Sequence, residues 1–318
     1  MPQITENRGA FGEAKAFLTK LGTKLVQLLY VHQTLIRMQL KFALIALCAT
    51  LLQAVSLPAQ DLSFPQLSPE QTVVQQLGLS KVTVKYARPS MRGRTVFGDM
   101  LPYGQVWRTG ANAATLITFE HEVSLANNKL GAGTYALFTI PDAQQWTIIL
   151  NSDTEQWGAN KYDPEKDVLR FKVPVTNLVA PQETFTIGFE EVALFSAQLQ
   201  LSWDRTAVRI PITVNQEAKL DADVAAAMKG EGKKPYFRAA MYYYNTGKDK
   251  QQVAEWLKLA DEETPTLYYV KYWRSKVLME LGDHAQARTV AQAGLKLAEA
   301  ANAPEYVRNI QAVLAQLK

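Results

Sequence analysis

The chain has 318 residues, of which 47% are apolar and 20% charged, enough length for two domains with cores of their own and a composition that excludes a disordered polymer. Its formal charge of +4 resides in residues 1–59, where six Lys/Arg face two Glu, and the remainder carries 28 residues of each sign. A neutral body has no bulk field to recruit nucleic acid or an anionic membrane, which argues against both as partners.

Residues 1–37 are basic and amphipathic ("EAKAFLTKLGTKLVQLLYVHQTLIR") and read as an N-terminal extension, either a start placed too far upstream or a long leader removed with the rest. Met38 opens a complete signal-peptide pattern over 38–59: one lysine, an apolar run from Phe42 to about Val55, and a small-residue exit that sets cleavage before Gln60. The run is too short to span a bilayer comfortably. Cys48, the single cysteine, follows Leu47, whereas a lipid attachment site needs a small residue there. Cleavage therefore leaves a chain with no cysteine, no disulfide and no stable membrane span, placed in the periplasm or outside the cell. Residues 60–80 read as a linker.

From 81 to 215 the pattern has period two. "KVTVKYA" (81–87), "TLITFEHEV" (115–123), "TYALFTI" (134–140), "QWTIILN" (145–151), "VLRFKVPVT" (168–176), "ETFTIGFEEVAL" (183–194), "AQLQLSW" (197–203) and "AVRIPITV" (207–214) are rich in β-branched and aromatic residues and bounded by turn formers. About eight strands with no helix between them predict an antiparallel β-sandwich. "LANNKLGAGTY" (125–135) predicts a hairpin turning at Asn127-Asn128.

The connection "RGRTVFGDMLPYGQVWRTGAN" (92–112), with Arg88 just before it, concentrates arginine, glycine and aromatic residues. Arg88, Arg92, Arg94 and Arg108 could clamp an anion or a sugar with Tyr103, Trp107 and Asn112, or they could brace the loop by donating to its own carbonyls. "WGANKYDPEKDVLR" adds Trp157 and Tyr162, aromatics that either stack on a glycan or plug the end of the sandwich. Its carboxylates Asp163, Glu165 and Asp167 alternate as in a calcium loop but lack the glycine and closing glutamate of an EF-hand. Only His121 and His284 remain after cleavage. No metal site, catalytic triad, Walker loop or dinucleotide fingerprint is legible, and no cofactor is expected.

Beyond Val214 the period becomes 3.6. Helices are predicted within 220–235 and over 236–247, 250–262, 266–282, 284–301 and 303–317. "LMELGDHAQARTVAQAGLKLA" resembles a tetratricopeptide repeat, with Gly282 and Asp283 in the turn and Ala287 where the helices cross. A looser copy surrounds Gly247. Residues 216–318 thus read as a short helical-repeat domain. Its aromatics (Tyr242, Tyr243 and Tyr244, with Tyr236, Tyr268, Tyr269, Tyr272 and Trp273) either hold a peptide or pack the core and dock onto the β-domain.

Taken together, "YARPSMRGRTVFGDMLPYGQVWRTGANAATLITF", "LGAGTYALFTIP", "WTIILN", "WGANKYDPEKDVLRFKV" and "LSWDRTAVRIPI" resemble, over about residues 62–215, the bacterial domain of unknown function 2911 family. The resemblance implies an exported protein. It implies signature positions at Arg88, Arg94, Phe97, Tyr103, Trp107, Arg108 and Asn112, then Trp157, Tyr162, Asp167 and Arg170; it supplies a domain and does not say what activity the domain has. The expectation is a non-catalytic binding or scaffold protein of the cell envelope with a protein or peptide partner. A carbohydrate or anion site in the Arg/Trp loops is the alternative.

Overall fold

The computed structural model describes residues 9–53 and 64–317, which fall into two units. In the first, helix α1 (Gly9–Gln53) runs unbroken through the basic extension and into the apolar run. Its described side chains, from 19 to 47, are all exposed, Leu25, Phe42 and Ile45 among them. Among the described residues no helix is long and apolar enough to cross a membrane. The expected cleavage point before Gln60 and the side chain of Cys48 lie outside the described residues.

The second unit begins with nine antiparallel strands: β1 (Glu70–Leu77), β2 (Ser80–Ala87), β3 (Thr115–Phe119), β4 (Val123–Leu125), β5 (Asn128–Leu130), β6 (Gly133–Ile140), β7 (Gln145–Asn151), β8 (Asp167–Glu190) and β9 (Ser196–Val214). They form one sheet in the order β1-β2-β3-β6-β7-β8-β9-β4-β5, not closed on itself. Strand β8 makes the sandwich. Up to Pro174 it pairs with β7, and from Val175 it pairs with β9, so the sheet folds over at the change of partner.

Between the layers lie Val82, Val84, Ile117, Trp146 and Ile148 from one side and Phe185, Leu199, Leu201, Trp203 and Ile210 from the other. Each large apolar side chain buried there contributes about 1.5–3 kcal/mol. With no disulfide among the strands, this core carries the domain.

Three local features differ from expectation. Residues 70–77, placed in the linker, form β1: "EQTVVQQL" pairs along its whole length with β2, but as an edge strand it buries only Leu77 fully. The β4–β5 hairpin turns at Ala126-Asn127, both at positive φ, one residue earlier than expected. With the turn there, Leu130 lies directly opposite Val123, and both are buried. The four expected strands after 168 are two long ones, with Asp204 at positive φ inside β9.

Six helices follow: α2 (Glu217–Lys229), α3 (Tyr236–Asn245), α4 (Lys250–Glu263), α5 (Tyr268–Glu280), α6 (His284–Ala300) and α7 (Pro304–Gln316). Two of the turns share one construction. Gly247 and Gly282 sit at positive φ, and Asp249 and Asp283 then accept amide hydrogens from the first turns of α4 and α6. Helix α6 turns a face of small residues, Ala287, Ala291 and Gly294, toward its neighbours, and a Cβ on Gly294 would stand 3.0 Å from that of Lys271 on α5. The helices meet the strands at a narrow seam, where the Leu79 amide donates to Gln216 Oε1 (2.8 Å) and the Phe195 and Tyr242 rings meet edge to face.

Candidate functional site

The connection from β2 to β3 is held along its whole length, and its arginines do much of the holding. Arg88 donates from Nε to the Phe185 carbonyl and from Nη2 to Thr186 Oγ1 (3.1 and 2.8 Å). Arg92 donates to the Leu67 carbonyl, and its own amide donates to Glu183. Arg94 closes back on the Met91 and Ser90 carbonyls. These three guanidiniums brace the loop against β8, against the segment before β1 and against itself. Arg108 differs: its Nε is buried with no hydrogen-bond partner among the described residues, and burial pushes its pKa below the usual guanidinium range.

Trp107 is a core residue. Its backbone pairs with Thr139, its Nε1 donates to the Gly110 carbonyl, and its ring packs on Phe185 and Trp203. Tyr103 is half exposed and covers Gly98. Tyr162 donates to Asp167 Oδ2 (2.6 Å) and accepts from Arg170 (2.7 Å), and desolvation, with the Asp167 carboxylate beside it, pushes its phenol up to about 12. Two of the three carboxylates of the second block are spent locally: Asp163 caps a short 3-10 turn, and Asp167 is held by Asn151, Tyr162 and Arg170. Among the described residues, no three His, Cys, Asp or Glu side chains gather as a metal site.

Two of the candidates come together. Asn112 and Trp157 line a hollow of about 130 Å³ at the C-terminal end of β2, together with Gln66, Glu70, Lys85 and several alanines. The backbone on both sides of Trp157 is tied down: Ala114 N donates to Gln156 O and Gly158 N to Asn112 O (2.9 and 3.1 Å). The indole itself is 72% exposed, in contrast to the buried Trp107, Trp146 and Trp203. Arg88, Arg92, Arg94 and Arg108 do not line this hollow.

A larger cleft, about 540 Å³, opens in the helical domain between the start of α3 and the α4–α5 turn. Tyr236, Phe237 and Tyr269 wall it, and Lys233, Lys234 and Arg238 stand around it against one carboxylate, Glu263. Lys234 donates to the Gly230 carbonyl, while Lys233 and Arg238 make no ion pair among the described residues. Sequence reasoning did not single these cations out. The available signal was "GKKP" directly before an aromatic helix start, and only folding brings it beside Leu267–Val270. The tyrosine cluster divides differently: Tyr243 and Tyr244 pack on Trp256 and Trp273, and Tyr242 serves the seam.

No curated protein and no solved structure matches the chain. The nine-stranded domain has a relationship on record: residues 68–212 match the model of the family described as protein of unknown function (DUF2911).

Proposed function

We propose that this is an exported, non-catalytic binding protein of the cell envelope, in which the β-domain is the scaffold and the helices hold an acidic protein or peptide segment. The observation that carries the reading is the helical cleft. Its aromatic walls offer apolar contact, and three cations around it face a single carboxylate, so it complements an extended anionic chain with apolar side chains. The matching turns at Gly247–Asp249 and Gly282–Asp283, with the small-residue face of α6, support a tetratricopeptide-like construction. Export rests on the signal-peptide pattern of 38–59. The exposed apolar side chains of α1, Leu25 and Phe42 among them, suit a segment that is handed to export machinery and removed.

The test is fluorescence anisotropy with a labelled Asp/Glu-rich peptide containing leucines, against neutral and lysine-rich versions. The acidic peptide binds, binding weakens with salt, and the charge reversal Lys233→Glu/Arg238→Glu lowers affinity at least about tenfold. Equal binding of the lysine-rich peptide, or no effect of the reversal, defeats the reading.

A further inference from the structure

The geometry points to a second binding site, on the β-domain and independent of the helical cleft: the Trp157 hollow is a subsite for one neutral pyranose ring of a glycan. Four features of the hollow carry this. The first is the exposed indole on a fixed backbone. Hydrogen bonds from Ala114 to Gln156 and from Gly158 to Asn112 bracket Trp157, so the backbone that carries the 72% exposed ring is fixed. A large aromatic kept in water on an ordered segment offers a flat apolar face at little entropic cost when a ligand covers it.

The second is the floor. Ala111 and Ala114, both buried, line the hollow with small methyl groups, which leaves an apolar seat without bulky side chains. A pyranose presents a patch of C–H bonds on one face and suits such a seat. The volume of about 130 Å³ restricts it to a single ring, with the rest of the glycan outside.

The third is the rim, which offers both donors and acceptors, as hydroxyl groups require. Asn112 Nδ2 is already committed to Gln66 Oε1 (2.8 Å) and the Ser68 carbonyl (3.2 Å), so its Oδ1 is left to accept. The same bond leaves Gln66 Nε2 to donate. Glu70 and Lys85 face each other at 3.2 Å, both more than half exposed, and offer one acceptor and one donor.

The fourth is charge. Glu70 and Lys85 cancel, and no arginine lines the hollow. A phosphate or carboxylate ligand would find no net field there, so the ligand is neutral.

The test is isothermal titration calorimetry of the protein with short neutral oligosaccharides, β-linked glucose and β-linked N-acetylglucosamine, and with a nucleoside as the flat-ring control. Acrylamide quenching of tryptophan fluorescence is read in parallel. At least one oligosaccharide binds, and it shields the exposed tryptophan from acrylamide. Trp157→Ala weakens binding about tenfold or more with an unchanged melting temperature, because the ring is exposed, while Trp157→Phe keeps part of the affinity. Lys233→Glu/Arg238→Glu leaves glycan binding as it was, which separates this site from the helical cleft. The proposal is overturned if neither oligosaccharide binds, if Trp157→Ala binds as tightly as the parent, or if only the nucleoside binds.

Discussion

Trp107, from the long connection between β2 and β3, stacks on Trp203 of β9, with ring centroids 5.8 Å apart and planes 22° from parallel. Phe97 from the same connection lies 4.9 Å from Trp146, centroid to centroid, and meets Trp203 edge-on. The connection thus supplies side chains to the core on which the two layers close.

Truncating that plug should be costly. Trp107→Ala leaves a cavity among Phe97, Trp146, Phe185 and Trp203 and removes a donor from the Gly110 carbonyl, so it should lower stability by about 3–5 kcal/mol. Trp107→Phe keeps a ring and should cost clearly less. Urea unfolding followed by far-ultraviolet circular dichroism measures both, and an Ala variant as stable as the parent would show that the ring is not part of the core.

The contrast between Trp107 and Trp157 shows what the sequence could and could not convey. Both stand in Gly-rich, aromatic loops, yet one is 5% and the other 72% exposed. Local composition does not report which side of a sheet a loop covers. Period-two patterning made the core of β2, β6 and β7 legible, as 3.6 periodicity did for α3 to α7. Strand β1 escaped because an edge strand that buries one residue fully has little apolar alternation to show. Arginine density likewise marked the loop but not its purpose: Arg88 and Arg92 bond the Phe185 and Leu67 carbonyls, which only folding brings into reach. The helical cleft needed Lys233 and Tyr269, 36 residues apart, to meet across a helix pair.

Gly110 is the position in the loop with least freedom to change. Its φ is +157°, and a Cβ there would stand 2.9 Å from the carbonyl oxygen of Ala87, a backbone atom that cannot swing aside. The contact sits where Ala111 N donates to that same carbonyl, so a shift would also break the tie between the loop and β2. Gly110→Ala should therefore destabilise by roughly 1–3 kcal/mol. Gly104→Ala makes a useful control, since its φ is also positive but nothing lies within 4 Å of the added carbon. Thermal unfolding that ranks Gly110→Ala no lower than Gly104→Ala would contradict the close approach.

Tyrosine ionisation should make the fold sensitive to strong alkali. Desolvation, then a hydrogen bond to a carboxylate, raises Tyr162 (beside Asp167) and Tyr242 (beside Asp221) from 10.0 to about 12. A pKa raised on folding means that the folded chain holds the proton more tightly than the unfolded one. The resulting stabilisation is complete below pH 10 and is lost as pH rises through 12. Denaturant midpoints should therefore fall across that window. Tyr162→Phe/Tyr242→Phe should start from a lower midpoint at neutral pH and fall less steeply between pH 10 and 12. Parallel curves for parent and variant would mean that the two phenols do not carry the dependence.

Asp261 fastens α4 to α5. The carboxylate is 6% exposed and takes Lys271 Nζ on one oxygen (2.6 Å) and Arg274 Nη1 on the other (2.7 Å). Removing it leaves two poorly hydrated cations side by side, and a buried pair broken on one side typically costs about 3–5 kcal/mol. Asp261→Ala should lose stability of that order. Asp261→Asn, which keeps one acceptor and the shape but not the charge, should lose less. The triple change Asp261→Leu/Lys271→Leu/Arg274→Met removes every charge together and should recover much of the loss, because no ion then lacks a partner. Thermal unfolding of the three proteins gives the order, and Asp261→Ala as stable as the parent would mean that the triad holds nothing. The same variants bear on binding, since Lys271 and Arg274 follow the α4–α5 turn that lines the cleft. If the triad sets the tilt of α5, Asp261→Ala should weaken the acidic peptide while leaving the Trp157 hollow unaffected.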